Sequence, residues 1–353
     1  MLKDLKYLLA LIPTACAYIA VLWGGAWSFA ALIFAFVGIP LLELFSFNNG
    51  DNYGSERKPS KLLDRFFDAM VYVNVPLLYV LIWLYFNRIA AGGLEVYEMV
   101  GMTFSVGIVV GSLGINVAHE LGHRKTWYEE LMSKMLLLTV LYTHFFIEHN
   151  RGHHLNVATV EDPATSRYGE NIYAFWFRST VYGYLDAWKL EAVRLNRAGQ
   201  SIVSLNNEML RLQLIQVAYL AVVGFVFGWQ MVLFAVAIAI VGFLQLETVN
   251  YIEHYGLERE KMANGRYEHV KPHHSWNSNH DMGRIFLYEL TRHSDHHFKA
   301  SRKYQTLRHF EEAPQLPTGY PGSMLIALVP PLWFKMMNSR VKTEVNRVAL
   351  ALG

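Results

Sequence analysis

The apolar run at residues 212–248 limits this chain more than any other feature. It holds 37 consecutive residues that are nearly all apolar. A helix crosses a bilayer with roughly 20 residues, so the run is too long for one ordinary span. Gly228-Trp229 at its middle marks a turn, and the run reads as two spans, 212–228 and 230–248, joined as a hairpin. Four earlier runs, at 5–23, 27–47, 66–86 and 96–117, are also long enough to cross. The first two are separated only by Gly24-Gly25-Ala26, and the next two by residues 87–95. Only 17% of the 353 residues are charged, against about a quarter in soluble domains. The expected fold is therefore an all-α integral membrane protein, with six transmembrane helices arranged as three hairpins beneath a cytoplasmic, histidine-rich cap. One membrane domain covers 1–353, with polar site-bearing segments at 118–211 and 249–331 and a tail at 332–353.

The positive-inside tendency sets the expected orientation. Lys3, Lys6, Arg57, Lys58, Lys61, Arg124 and Lys125 fall on one side of this layout, against Arg88 on the other, so both termini are expected in the cytoplasm. Gly107 and Gly111 form a GxxxG pair, which predicts close helix packing. The apolar segment 131–147 is short and carries Thr139, Tyr142, Thr143 and His144. It is read as half-inserted or returning, because a full crossing would divide the histidine groups between the two membrane faces. The aromatic-rich stretch 171–197, with interspersed Arg and Lys, is read as helices lying in the interface. A net charge of +2 is too small to suggest a nucleic-acid partner. The lone Cys16 excludes disulfides within the chain, Cys-ligated zinc and iron–sulfur clusters.

The chemistry is concentrated in histidine. His119-Glu120-Leu121-Gly122-His123 places two imidazoles four residues apart, hence on one helix face. Glu148-His149-Asn150-Arg151-Gly152-His153-His154 is expected to do the same with a third ring alongside, and His293-Ser294-Asp295-His296-His297 repeats the spacing. His254 follows in Glu253-His254-Tyr255-Gly256. Nine imidazoles suit two metals of four to five ligands each, and imidazole alone does not choose among iron, copper, zinc and nickel. His119–His123 also satisfies H-E-x-x-H, the zinc-protease pattern with Glu120 as base, but that site leaves seven further histidines without a purpose. A metal transporter is a further alternative, although transporter sites usually lie near the membrane midplane.

Four motifs, HELGHR (119–124), EHNRGHH (148–154), NYIEHYG (250–256) and RHSDHH (292–297), resemble those of membrane-bound alkane 1-monooxygenases. These belong to the histidine-box group that also holds xylene monooxygenases, fatty-acid hydroxylases and desaturases. The resemblance continues through Asp162-Pro163, WKLE (188–191), LRHF (307–310) and APQLPTGY (313–320), and so covers roughly 48–331. It implies O2-dependent terminal hydroxylation of medium-chain n-alkanes at a non-haem centre of two iron ions. The substrate would come from the bilayer, and the electrons from rubredoxin and its reductase. The implied ligands are His119, His123, His149, His153, His154, His254, His293, His296 and His297.

Nine neutral rings leave the iron charges uncompensated, so Glu120, Glu148, Asp162, Glu253 and Asp295 are candidates to accept ring N–H bonds behind the ligands. Phe34, Phe36 and Trp83 are candidates for the substrate channel. Arg124, Lys125, Arg302, Lys303 and Arg308, close in sequence to the ligand groups, are candidates to dock an acidic rubredoxin. A single cysteine cannot hold a rubredoxin iron, so the donor is expected to be a separate protein or to lie beyond residue 353. The resemblance places the enzyme in a bacterial inner membrane.

Overall fold

The computed structural model describes residues 2–46, 50–52, 60 and 64–352. Arg57, Lys58 and Lys61, on which the inside-positive assignment leans, lie outside the described residues, as does the side chain of Lys3. Among the described residues every extended regular element is helical, and β-structure is limited to two isolated bridges, Lys261 with Tyr267 and Asn277 with Gln315. Six helices are long and apolar enough to cross a membrane: Asp4–Trp23, Gly25–Phe45, Arg65–Ala90, Val96–Gly122, Glu208–Phe227 and Met231–His254. The 212–248 run does break at Gly228. The segment 131–147 is not among the six. Its helix stops at Thr139, and Leu141 sits in the left-handed region at φ 51°.

Two of these helices outrun their apolar stretches. The fourth continues to Gly122 and the sixth to His254, because nothing in 118–122 or 249–254 breaks a helix. The overrun matters: it carries His119 on the last turn of the fourth span, and Glu253 and His254 on the last turn of the sixth. The segment 171–197 forms one continuous helix, Ile172–Arg197.

The chain packs as two units, neither of them a contiguous stretch. The first comprises Met1–Gly38, Arg65–Arg151 and Tyr184–Leu246. Here the fourth and sixth spans meet backbone to backbone. A Cβ on Gly111 would lie 2.5 Å from the Gln245 side-chain oxygen and 2.8 Å from the Gly242 carbonyl oxygen. The second half of the GxxxG pair is thus a close-packing position. Arg151, inside the second histidine motif, is tied to Glu191 at 2.8 Å and to Glu208 at 2.6 Å. Glu191, the acid of the WKLE stretch, is fully buried and also binds Arg194. Burial opposes its ionisation, but these guanidiniums and the Glu208 N–H hold its pKa down at about 2.

The second unit comprises Ile39–Asp64, Gly152–Gly183 and Glu247–Gly353. The turn after the sixth span falls on Gly256, whose φ of 69° disfavours any side chain and whose Cβ would come within 3.2 Å of Val341 and 3.3 Å of Tyr168. The C-terminal segment, read from sequence as a tail at 332–353, lies in a 23-residue helix, Pro330–Leu352. Pro330 and Pro331 occupy its first turn, where a missing N–H costs nothing. Trp333, Met337 and Val341, four residues apart, form its buried face. Trp333 packs on Tyr251 and Tyr255 with ring centroids 5.4 Å apart, and Asn338 accepts the Tyr255 hydroxyl at 2.8 Å. This helix braces the turn that carries Glu253 and His254. Trp333→Ala should therefore destabilise the protein by about 3–5 kcal/mol, read as a fall in thermal unfolding temperature in detergent.

Candidate metal centre

In the first unit His119, His123 and His149 turn their rings together. Their ligand atoms all lie within 4.8 Å of one another, and the His123 and His149 Nε2 atoms are 3.2 Å apart. His119 and His149 are nearly closed to solvent. The spacing of four between His119 and His123 works as an α-helical face, since both sit at the end of the fourth span.

In the second unit His153, His254, His293 and His297 form a fully buried cluster, again with ligand atoms within 4.8 Å of one another. Their Nε2 atoms make a chain: His153 to His297 at 3.2 Å, His297 to His293 at 2.8 Å, and His293 to His254 at 3.2 Å. His154 and His296 pair alongside, Nε2 to Nε2 at 3.1 Å. The reading of His149, His153 and His154 as one α-helical set is corrected here. His149 stands with His119 and His123, while His153 joins the buried cluster of four. A π-turn at His149–His153 interrupts the α-helix, and its extra residue removes the shared face that a spacing of four gives.

The donor set fits a metal. Bonds of about 2.0–2.1 Å from imidazole nitrogen place neighbouring ligands near 3 Å apart at right angles, which matches the observed separations. His297 is also in the right protonation state. Burial, then the surrounding imidazoles, push the His297 pKa well down, so the ring stays neutral, as a ligand must. Asp162 lies 2.9 Å from His153 Nδ1. Burial disfavours its charge, but His153 and the Thr165 hydroxyl outweigh that and lower its pKa. An ionised Asp162 fixes the His153 proton on Nδ1 and leaves the Nε2 lone pair facing the cluster.

The other acids differ. Glu253 Oε1 accepts the Tyr320 hydroxyl at 2.7 Å, and its Oε2 lies 3.2 Å from His293 Nε2. Burial and the Glu253 charge hold the proton on the Tyr320 phenol. Asp295 is taken up by Arg308 at 3.0 Å and Arg302 at 3.3 Å. Glu120 binds Arg124 at 2.9 Å, and Glu148 is buried.

Among the residues expected to dock a partner, Arg124 is turned inward. It is bound by Glu120, Asp68 and Glu129, so three carboxylates surround its one charge. Lys125 is exposed. Arg302 and Arg308 share the single carboxylate of Asp295, which leaves a net positive pair with Arg308 about one-third exposed. Trp83 is 56% exposed and faces outward, whereas Phe34 and Phe36 are half-buried.

Sequence reasoning missed several supporting residues. Tyr320 was visible only as part of a motif. Arg292, fully buried, donates to the Leu307 and Asp51 carbonyl oxygens at 2.9 Å each. Asn277 receives the Ser294 N–H at 2.8 Å and exchanges backbone bonds with Pro314 and Leu316. It thereby ties the third histidine motif to the 313–320 stretch. A third group, Glu268 with His273 and His274, also places ligand atoms within 4.8 Å. There the Lys271 backbone N–H donates to His274 Nδ1 at 3.0 Å, which puts the ring proton on Nε2, toward Glu268 at 3.3 Å. That network is a helix cap rather than a ligand set.

A fatty acid desaturase family model matches residues 95–324, which include all four motifs. The alkane 1-monooxygenase 1 of Alcanivorax borkumensis is 42% identical over 93% of this chain and 82% of its own length. The alkane 1-monooxygenase of Pseudomonas putida is 45% identical over 87% and 76%. The chain belongs to the alkane 1-monooxygenase family. As a member it is an integral membrane oxidoreductase, a monooxygenase. The hydroxylase component of a xylene/toluene monooxygenase from Pseudomonas putida is 31% identical over 95% of the chain and 88% of its own length. For this family member, Asp162→Asn should weaken metal retention about 10–100-fold with helix content unchanged, measured by chelator competition on the purified protein.

Proposed function

We propose that this enzyme hydroxylates the terminal carbon of medium-chain n-alkanes at a di-iron centre held by nine histidines, with electrons from a rubredoxin. The observation that carries this reading is the buried cluster of His153, His254, His293 and His297, with His119, His123 and His149 gathered in the same way in the first unit. Of fifteen histidines in the chain, the nine in the motifs turn their ring nitrogens toward one another within each unit, and the six outside the motifs do not join them. The cluster of four supplies one iron, which leaves five rings for the other. The alkane 1-monooxygenases among its relatives supply the substrate class.

The reaction balances as alkane, O2, two electrons and two protons giving 1-alkanol and water. Bound iron supplies the redox capacity to reduce dioxygen; the protein supplies orientation and a dry site. Asp162 holds the His153 ring in its ligating tautomer. A secondary C–H bond is weaker than a terminal one, so terminal selectivity has to come from geometry, with the chain admitted end-on from the bilayer. Phe34 and Phe36 are the proposed stop of that passage. Inserting extra methylenes against a filled stop costs about 1–3 kcal/mol. We place the metal and both termini on the cytoplasmic side of an inner membrane. Lys125, Lys303 and the Arg302–Arg308 pair would meet an acidic rubredoxin there.

Turnover of octane with rubredoxin and its reductase, followed by product chromatography, tests the proposal. The expected product is 1-octanol, and the rate at limiting rubredoxin falls as added salt screens docking. Phe34→Ala or Phe36→Ala should extend the range to longer alkanes while keeping the 1-alkanol. Mostly 2- and 3-octanol would contradict the end-on passage. Turnover of xylene in preference to octane would favour the reading suggested by the xylene/toluene relative.

A further inference from the structure

Asp162 and Glu253 both touch a cluster histidine, but on opposite sides of the ring. Asp162 meets His153 at Nδ1, while His153 Nε2 points to His297. That is the arrangement of an acid standing behind a ligand. Glu253 Oε2 instead lies 3.2 Å from His293 Nε2. The same nitrogen faces His254 at 3.2 Å and His297 at 2.8 Å. Any metal gathered by this cluster sits on that side of His293. A nitrogen bound to a metal carries no proton, so Glu253 cannot be accepting a ring N–H there once the metal is in place.

We propose that Glu253 is itself a ligand of the iron held by His153, His254, His293 and His297, binding through Oε2 alone. The inference rests on the di-iron reading above and adds an anionic donor to it. The 3.2 Å separation from His293 Nε2 suits two adjacent ligands with bonds of about 2.0–2.2 Å. Electrostatics favours it as well. Four neutral imidazoles leave the full charge of a ferrous ion in a site whose residues are at most 5% exposed, and uncompensated buried charge is costly. One carboxylate offsets half of it. The other oxygen, Oε1, is occupied by the Tyr320 hydroxyl at 2.7 Å, and Tyr320 is fully buried. That bond fixes the plane of the carboxylate and leaves one oxygen to coordinate, so Tyr320 is a positioning residue for Glu253.

The test uses the full-length protein loaded with 57Fe, comparing wild type with Glu253→Gln and Tyr320→Phe by iron content and Mössbauer spectroscopy. Gln keeps the shape of Glu and can still meet the Tyr320 hydroxyl, but it is a neutral and far poorer ligand. Glu253→Gln is expected to lose about half of the iron, or to keep it with one of the two quadrupole doublets displaced. Tyr320→Phe is expected to keep both irons and release one about 10-fold faster to a chelator. Wild-type iron content and an unchanged Mössbauer spectrum in Glu253→Gln would overturn the assignment. Should Glu253→Gln fail to fold, the iron-loaded minus iron-free infrared difference spectrum decides. A monodentate carboxylate band that shifts in Tyr320→Phe supports the ligand, and no such band overturns it. Wild-type protein that takes up no iron would overturn the di-iron reading and this inference together, whereas two wild-type irons with an unaltered Glu253→Gln spectrum overturn this inference alone.

Discussion

Imidazole nitrogens converge in this protein at separations that suit neighbouring ligands of one cation. In the cluster of four the Nε2 atoms stand 2.8–3.2 Å apart with almost no access for water. Protonating the rings would add like charges at contact distance, which burial makes costly. The surrounding structure is consequently built to hold neutral nitrogens toward one point. The sixth span delivers Glu253 and His254 on its final turn, and the C-terminal helix braces that turn through Trp333 and Asn338. Arg292 and Asn277 pin the short helix His293–Phe298 by hydrogen bonds to backbone 15 to 241 residues away.

The two acids beside this cluster illustrate how one residue type serves two purposes. Asp162 reaches a ring at Nδ1 and selects its tautomer, while Glu253 faces the Nε2 side on which the four rings converge, with its second oxygen occupied by a phenol. Both are buried carboxylates next to a histidine, and the nitrogen each one faces decides its role. Asp295, in the middle of the third motif, does neither. Its charge is spent on Arg302 and Arg308.

The membrane fold was legible because hydropathy and length are local properties. The 212–248 run exceeded one span and broke where its glycine stood, and all six spans appear as helices. The ends of those helices were less legible, since a helix does not stop where its apolar run stops. The overrun at 249–254 is what positions His254. The division of His149 from His153 could not be read at all. Helical periodicity predicts a common face, and the π-turn that removes it leaves no compositional mark. Arg124 looked like a surface cation because Asp68, 56 residues away, is invisible from its own neighbourhood. Tyr320 and Glu253 are 67 residues apart and meet only in the fold. The helix that begins at Pro330 and Pro331 was not anticipated, although proline is neutral in a first turn.

Two irons bound through nitrogen is the claim on which the rest depends. Metal analysis of the purified full-length protein, joined to iron K-edge X-ray absorption, measures it directly. The account predicts two irons per chain, each in a shell dominated by imidazole nitrogen near 2.1 Å, with both lost progressively as cluster histidines are replaced by alanine. A single zinc per chain, or both irons retained after His153→Ala and His297→Ala are combined, would contradict it.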